Sequence, residues 1–134
     1  VTLNIYVDPG EVETLVRIRN NDGGFERFTA MIDTGAPISL FPFTLLNSVP
    51  HEITDRERFT IEQAGVAGQS FSALEATIEV VIEDGLGNES PPLKVRAWFA
   101  ETSLSLIGFD GILDRATLYL DMRETRTGWM EFND

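Results

Sequence analysis

FTAMIDTGAPISLF, residues 28–41, sets an Asp-Thr-Gly turn between two apolar runs. Turns with Asp and Gly normally face water, because both residues suit a tight, solvated bend. Here Met31 and Ile32 lead into the turn, and Ile38, Leu40 and Phe41 lead out of it. The carboxyl group of Asp33 therefore comes straight off a strand that reads as core. A carboxylate held in such a place must be paired, protonated or chemically employed.

Outward from this turn, the chain reads as short strands punctuated by turn signals. Residues 1–7 alternate apolar Val1, Leu3, Ile5 and Val7 with polar neighbours, the pattern of a half-buried strand. Asp8-Pro9-Gly10 ends it. Residues 11–19 form a second strand, with Val12, Val16 and Ile18 on one face. The NNDGG at 20–24 is a hairpin signal, and residues 25–32 return as the third strand. A short strand at 38–41 follows the Asp-Thr-Gly turn, then a helical turn at 42–47. Residues 47–58 read as a polar loop, and residues 59–64 and 70–83 as a long hairpin whose tip is the Gly-rich GVAGQ. Further strands are expected at 93–99, 116–120 and 129–132. LSLIGFDGILDR carries a strand into one short helix near 109–115. The sum is an all-β chain closed like a barrel, with residues 1–134 as a single domain.

Composition narrows the chemistry. The net charge is −12 and Lys94 is the only lysine. Such a surface repels phosphate backbones and anionic lipid, so nucleic acid and a membrane surface are poor partners. No apolar run is long enough to span a bilayer. With no signal peptide visible, the cytoplasm is favoured, although Val1 in place of Met points to a processed or excised segment. There is no Cys, which removes thiol nucleophiles, disulfides and thiolate metal sites. His51 is the only histidine and lies in the charged VPHEITDRER, a poor base for a Ser-His-Asp triad and too little for a catalytic zinc. Asp84, Asn88 and Glu89 hint at calcium, but Leu86 interrupts the oxygen ligands. Asn88-Glu89-Ser90 matches a glycosylation acceptor.

Three features together resemble the retropepsin-like aspartic proteases, the retroviral type and its cellular and bacterial relatives. They are MIDTGA at 31–36, the Gly-rich hairpin tip about thirty residues on, and LIGFDGILDRATLYL at 106–120. The resemblance covers residues 15–120. It implies an acid-protease-type barrel that is one subunit of a two-fold dimer. It also implies hydrolysis of peptide bonds without metal or cofactor. Asp33 would be catalytic, with Thr34, Gly35 and Ala36 as the active-site loop. Thr34 would bond across the axis, and Gly65, Val66, Ala67 and Gly68 would form the flap that closes over bound peptide. Leu106, Ile107 and Gly108 would pack under the Asp33 loop.

The reaction needs two carboxylates and the chain has one Asp-Thr-Gly. Asp110, in FDG at 109–111, lacks the Thr and reads as an acid at a helix N-terminus. The second carboxylate is therefore expected from Asp33 of a second copy. Retroviral members dimerise through a sheet of both chain termini; the end strands at 1–6 and 129–132 are the candidates, against simple pairing within one chain. Two positions depart from the family. Pro37 stands where an acid is common and Phe109 where Arg is common, so the ion pair between them is absent. The competing readings are an idle module of this fold that grips extended peptides, and a domain activated only inside a larger parent.

Overall fold

The computed structural model describes residues 1–8, 10–62 and 70–133. Among these residues the chain is nearly all strand. The strands are β1 (Thr2–Asp8), β2 (Glu11–Arg19), β3 (Phe25–Ile32), β4 (Ser39–Pro42), β5 (Glu52–Glu62), β6 (Ser70–Glu83), β7 (Leu93–Ala100), β8 (Leu106–Ile107), β9 (Ala116–Asp121) and β10 (Thr127–Phe132). Two 3-10 turns, Phe43–Asn47 and Leu113–Arg115, are the helical content.

Alternation decides which way each strand faces. In β7, Leu93, Val95 and Ala97 point inward while Lys94 and Arg96 point out. In β10, Gly128, Met130 and Phe132 are buried and Trp129 and Glu131 face outward. The inward sets meet in one main cluster with Phe41, Phe99 and Phe132 among its fully buried residues. The Phe28 and Phe41 rings pack edge to face at 5.7 Å, a favoured arrangement of ring quadrupoles. A smaller cluster on the other sheet face joins Leu40, Ala73, Ala100 and Leu106, flanked by Met31 and Trp98.

The sheet order is β5-β6-β7-β4-β8-β3-β2-β1-β10-β9. β6 also pairs with β2, so the strands from β6 through β7, β4, β8 and β3 to β2 return on themselves as a ring. β1 leaves this ring: Tyr6–Asp8 pair with β2, while Thr2–Ile5 pair with β10. The end strands thus pair with each other inside one chain, and the Val1 ammonium donates to the Phe132 carbonyl at 2.7 Å.

Two expectations are corrected. The polar stretch at 47–58 is not all loop, because β5 begins at Glu52 and pairs with β6 from Glu52↔Thr77 onward. The helix near 109–115 shrinks to the single turn at 113–115. Gly111 takes φ +78°, outside the helical region, and a Cβ there would lie 2.8 Å from the Lys94 carbonyl oxygen. No helix among the described residues is long and apolar enough to cross a membrane.

The 84–92 loop is anchored by a buried carboxylate. Asp84 is fully buried and accepts hydrogen bonds from the backbone N–H groups of Asn4, Leu86 and Asn88 and from both Asn side chains, at 2.8–3.1 Å. Its carbonyl accepts from the Tyr6 hydroxyl. All these partners are N–H or O–H donors. The Asn88 amide donates to Asp84, and the Ser90 hydroxyl is buried between the Ile82 N–H and the Pro91 carbonyl. Burial alone would raise the Asp84 carboxyl. The hydrogen bonds from Asn88, Leu86 and Asn4 outweigh it and hold the group well below the ordinary carboxylate range. A depressed folded-state value means stability that is present above the unfolded value near 3.8 and lost as pH falls below it. Asp84→Ala is expected to cost about 3 kcal/mol at neutral pH. Urea unfolding from pH 6 to 3 should show wild-type stability falling toward that of the variant at the acid end.

Candidate active site

Asp33 follows directly on β3, and its position is set by β8. That two-residue strand runs parallel to β3, with Met31↔Leu106 and Ile32↔Ile107 in register, and antiparallel to β4 at Leu40. The strands before and after the Asp33 loop are thus held apart by a third strand from far along the chain. The Met31 N–H donates to the Ser105 carbonyl and the Asp33 N–H to the Ile107 carbonyl, both at 2.9 Å. Leu106 and Ile107 are buried, and they occupy the supporting place expected of them.

Beyond β8 the chain continues to hold the loop by its backbone. Gly108 N–H donates to Ser39 Oγ at 2.9 Å, with both residues buried. Phe109 N–H donates to the Ala36 carbonyl at 3.0 Å, and Asp110 N–H to the Pro37 carbonyl at 2.9 Å. This approach leaves no room for a side chain at 108. A Cβ there would stand 2.7 Å from the Ala36 oxygen and 2.8 Å from the Ile38 carbonyl carbon. Residues 36–37 and 109–110 are therefore tied by main-chain bonds.

Within the loop, Asp33 closes its own turn. Gly35 N–H donates to Asp33 Oδ1 at 2.9 Å and Ala36 N–H to the Asp33 carbonyl at 3.1 Å. Oδ2 has no hydrogen-bond partner among the described residues. The setting is more open than the flanking apolar runs suggest: Asp33 is half-buried, and Thr34, Gly35 and Pro37 are exposed. Ile38, Leu40 and Phe41 are buried as expected, but the turn itself stands at the surface of the single chain. A half-buried carboxylate with one oxygen fixed and the other available can accept a proton or orient a water molecule.

Asp110 is held differently from Asp33, by an ion pair. Its Oδ2 lies 2.9 Å from Arg96 Nη2, an ion pair on the partly exposed surface beside the loop. That pair, and the Ser39 hydroxyl under Gly108, were not anticipated. The outward position of Arg96 in the alternating β7 was the one available signal. His51 is exposed, and its Nδ1 lies 2.9 Å from the Val49 carbonyl. Among the described residues there is no His, Cys, Asp and Glu grouping suited to a metal ion. The expected flap residues Gly65, Val66, Ala67 and Gly68 lie outside the described residues.

No family model matches the chain, and no curated protein does. Among solved structures, the fold is similar to a retropepsin-like aspartic protease from Rickettsia conorii. The TM-score is 0.58 at 14% sequence identity, over 97% of this chain and 90% of that one. At that identity the likeness is one of fold.

Proposed function

We propose that the chain is one subunit of an aspartic endopeptidase whose two catalytic carboxylates are Asp33 from each of two copies. The observation that carries this reading is the Asp33 loop. It is pinned by β8 and the 108–110 backbone, exposed at Thr34 and Gly35, and built around a carboxylate with one oxygen uncommitted. The likeness in fold to a retropepsin-like protease supports it. In this reading the strand ring is the barrel of a subunit, and a two-fold axis passes beside the loop.

Two carboxylates brought together at such an axis do not both ionise, and they hold one proton between them. The ionised group takes a proton from a water molecule as the water oxygen attacks the scissile carbonyl carbon. The protonated group gives its proton to the carbonyl oxygen. The tetrahedral intermediate collapses as the carboxyl group that took the water's proton passes it to the amide nitrogen and the other carboxylate takes a proton from a hydroxyl of the intermediate, breaking the C–N bond and restoring the shared proton. The peptide would lie extended beneath the flap at Gly65, Val66, Ala67 and Gly68, and Thr34 would link the two loops. Water exclusion by the flap would strengthen the electrostatics of the site.

The test is digestion of a peptide library from about pH 4 to 7 by wild type and Asp33→Asn. Cleavage by wild type alone, indifferent to chelators and thiol reagents, supports the proposal. Equal cleavage by both proteins overturns it. Peptide binding without turnover, unaffected by the substitution, would favour the idle binding module.

A further inference from the structure

We infer that the groove along the free edge of β3, outside the Asp33 loop, binds an extended basic segment of the protein substrate, with a Lys or Arg side chain in the pocket beside the 20–24 turn. This inference adds a second contact to the substrate of the endopeptidase proposed above, and rests on that reading.

The order of the sheet leaves the edge free. β3 lies between β2 and β8, but β8 pairs with it only at Met31 and Ile32. Residues 25–30 have β2 on one side and no strand on the other. Alternation sets where their main-chain groups point. The Met31 and Asp33 N–H groups donate to the Ser105 and Ile107 carbonyls, away from β2. Register with β2 is unbroken from Glu13↔Met31 to Arg19↔Phe25, so the N–H and C=O groups of Arg27 and Thr29 point to the same free side. Both residues are exposed. Such an edge is a template for an added strand.

The chain opposite turns this edge into a groove. The Phe43–Asn47 turn forms the far wall, and main-chain bonds tie both ends: Met31 N–H to the Ser105 carbonyl at 2.9 Å, and Asn21 N–H to the Ser48 carbonyl at 2.8 Å. The groove has a volume of about 440 Å³, with Phe28, Pro42 and Leu45 as its apolar lining. Through Glu26 and Ser48 it adjoins a pocket of about 240 Å³ beside Asn20 and Asp22. From Glu26 to Thr29 the strand runs about 10 Å, room for about three residues of extended peptide.

Charge selects the occupant. Among the described residues, the lining of these two spaces has two carboxylates, Asp22 and Glu26, and no Lys or Arg. Arg27 turns its side chain to Glu83 instead. Glu26 joins none of the ion pairs among the described residues. Asn20 buries its Oδ1 without a hydrogen-bond partner there. All three groups offer acceptors, and their complement is a cationic side chain with several donors. Position connects the groove to the reaction. Asp33 lies four residues beyond Thr29 on the same strand, about 13 Å away. A protein chain with its scissile bond at Asp33 reaches the groove with a few further residues, and the second contact raises its effective affinity.

The experiment follows amide chemical shifts by NMR in the Asp33→Asn chain, chosen to prevent turnover. It is titrated with a heptapeptide of alternating Thr and Val carrying a central Lys, and with the same peptide carrying a central Gln. We expect the Lys peptide to shift the amides of Arg27, Thr29 and Ser48, and the Gln peptide to bind about fivefold more weakly. Adding Glu26→Gln should abolish that difference between the peptides, with shifts elsewhere unchanged to show an intact fold. Shifts confined to residues 33–36, equal binding of the two peptides, or shifts at 26–29 that arise on concentrating the protein alone each overturn the inference. The readout needs no cleavage. The expected shifts in a chain whose wild type cleaves nothing support the inference while the protease reading fails, and cleavage by wild type without them sinks the inference alone.

Discussion

Asp33→Asn is expected to lower peptide cleavage by at least about a thousandfold, since the substitution removes both the base and the acid of the reaction. The fold should survive. Asn keeps a carbonyl oxygen where Asp33 Oδ1 accepts the Gly35 N–H, so the turn retains its closing hydrogen bond. The Asp33 main chain, with its N–H on the Ile107 carbonyl and its carbonyl on the Ala36 N–H, is untouched. Because the side chain is only half-buried, its replacement leaves no buried group without a partner. The check is a pair of measurements: steady-state cleavage of the best library peptide, and thermal unfolding. Activity lost with an unchanged unfolding midpoint separates a chemical role from a structural one.

Gly108→Ala is expected to damage stability and rate together. The added methyl group would meet the Ala36 carbonyl oxygen at 2.7 Å and the Ile38 carbonyl at 2.8 and 2.9 Å, all main-chain atoms that no rotamer change can move aside. Overpacking against backbone costs about 1–3 kcal/mol. Relief requires the 36–38 segment to shift away from β8, which weakens the Phe109 and Asp110 hydrogen bonds to Ala36 and Pro37. That segment carries the Asp33 loop, and a displacement of about 1 Å is enough to cost roughly a hundredfold in rate. Gly35→Ala is the comparison, since a Cβ there meets only Asp33 Oδ1, at 3.3 Å. Unfolding midpoints should fall clearly for Gly108→Ala and little for Gly35→Ala. Wild-type stability and rate in Gly108→Ala would show that the loop does not rest on β8 as described.

Much of this arrangement is legible in the sequence because it depends on local pattern. The alternation in 93–100, the turn residues at 20–24 and the apolar run before Asp33 each report a property of neighbouring residues, and β7, the β2–β3 hairpin and the end of β3 follow from them. β5 was misjudged at its start because EITDRER has no apolar alternation. What holds it is backbone pairing to β6, which leaves little mark on side-chain pattern. The 109–115 segment carries apolar and acidic residues at helix-like spacing, yet one glycine with positive φ, pressed against β7, limits it to a turn. The openness of the Asp33 loop was missed for a related reason. Apolar neighbours in sequence suggested burial, but Met31 belongs to the smaller cluster on the far sheet face while Ile32 packs toward the main core. Ser39 under Gly108, Arg96 beside Asp110 and the five donors around Asp84 join residues distant along the chain, and no single stretch announces them.

The account stands on Asp33 acting in pairs, one from each of two copies. The most direct measurement is the cleavage rate of wild-type chain mixed with increasing amounts of Asp33→Asn, after time for subunits to exchange. If every site needs both carboxylates, random pairing lowers the rate per wild-type chain to about half at equal amounts, and further as the variant rises. A rate per wild-type chain that stays constant across the series would contradict the account, because each chain would then work with its own Asp33 alone.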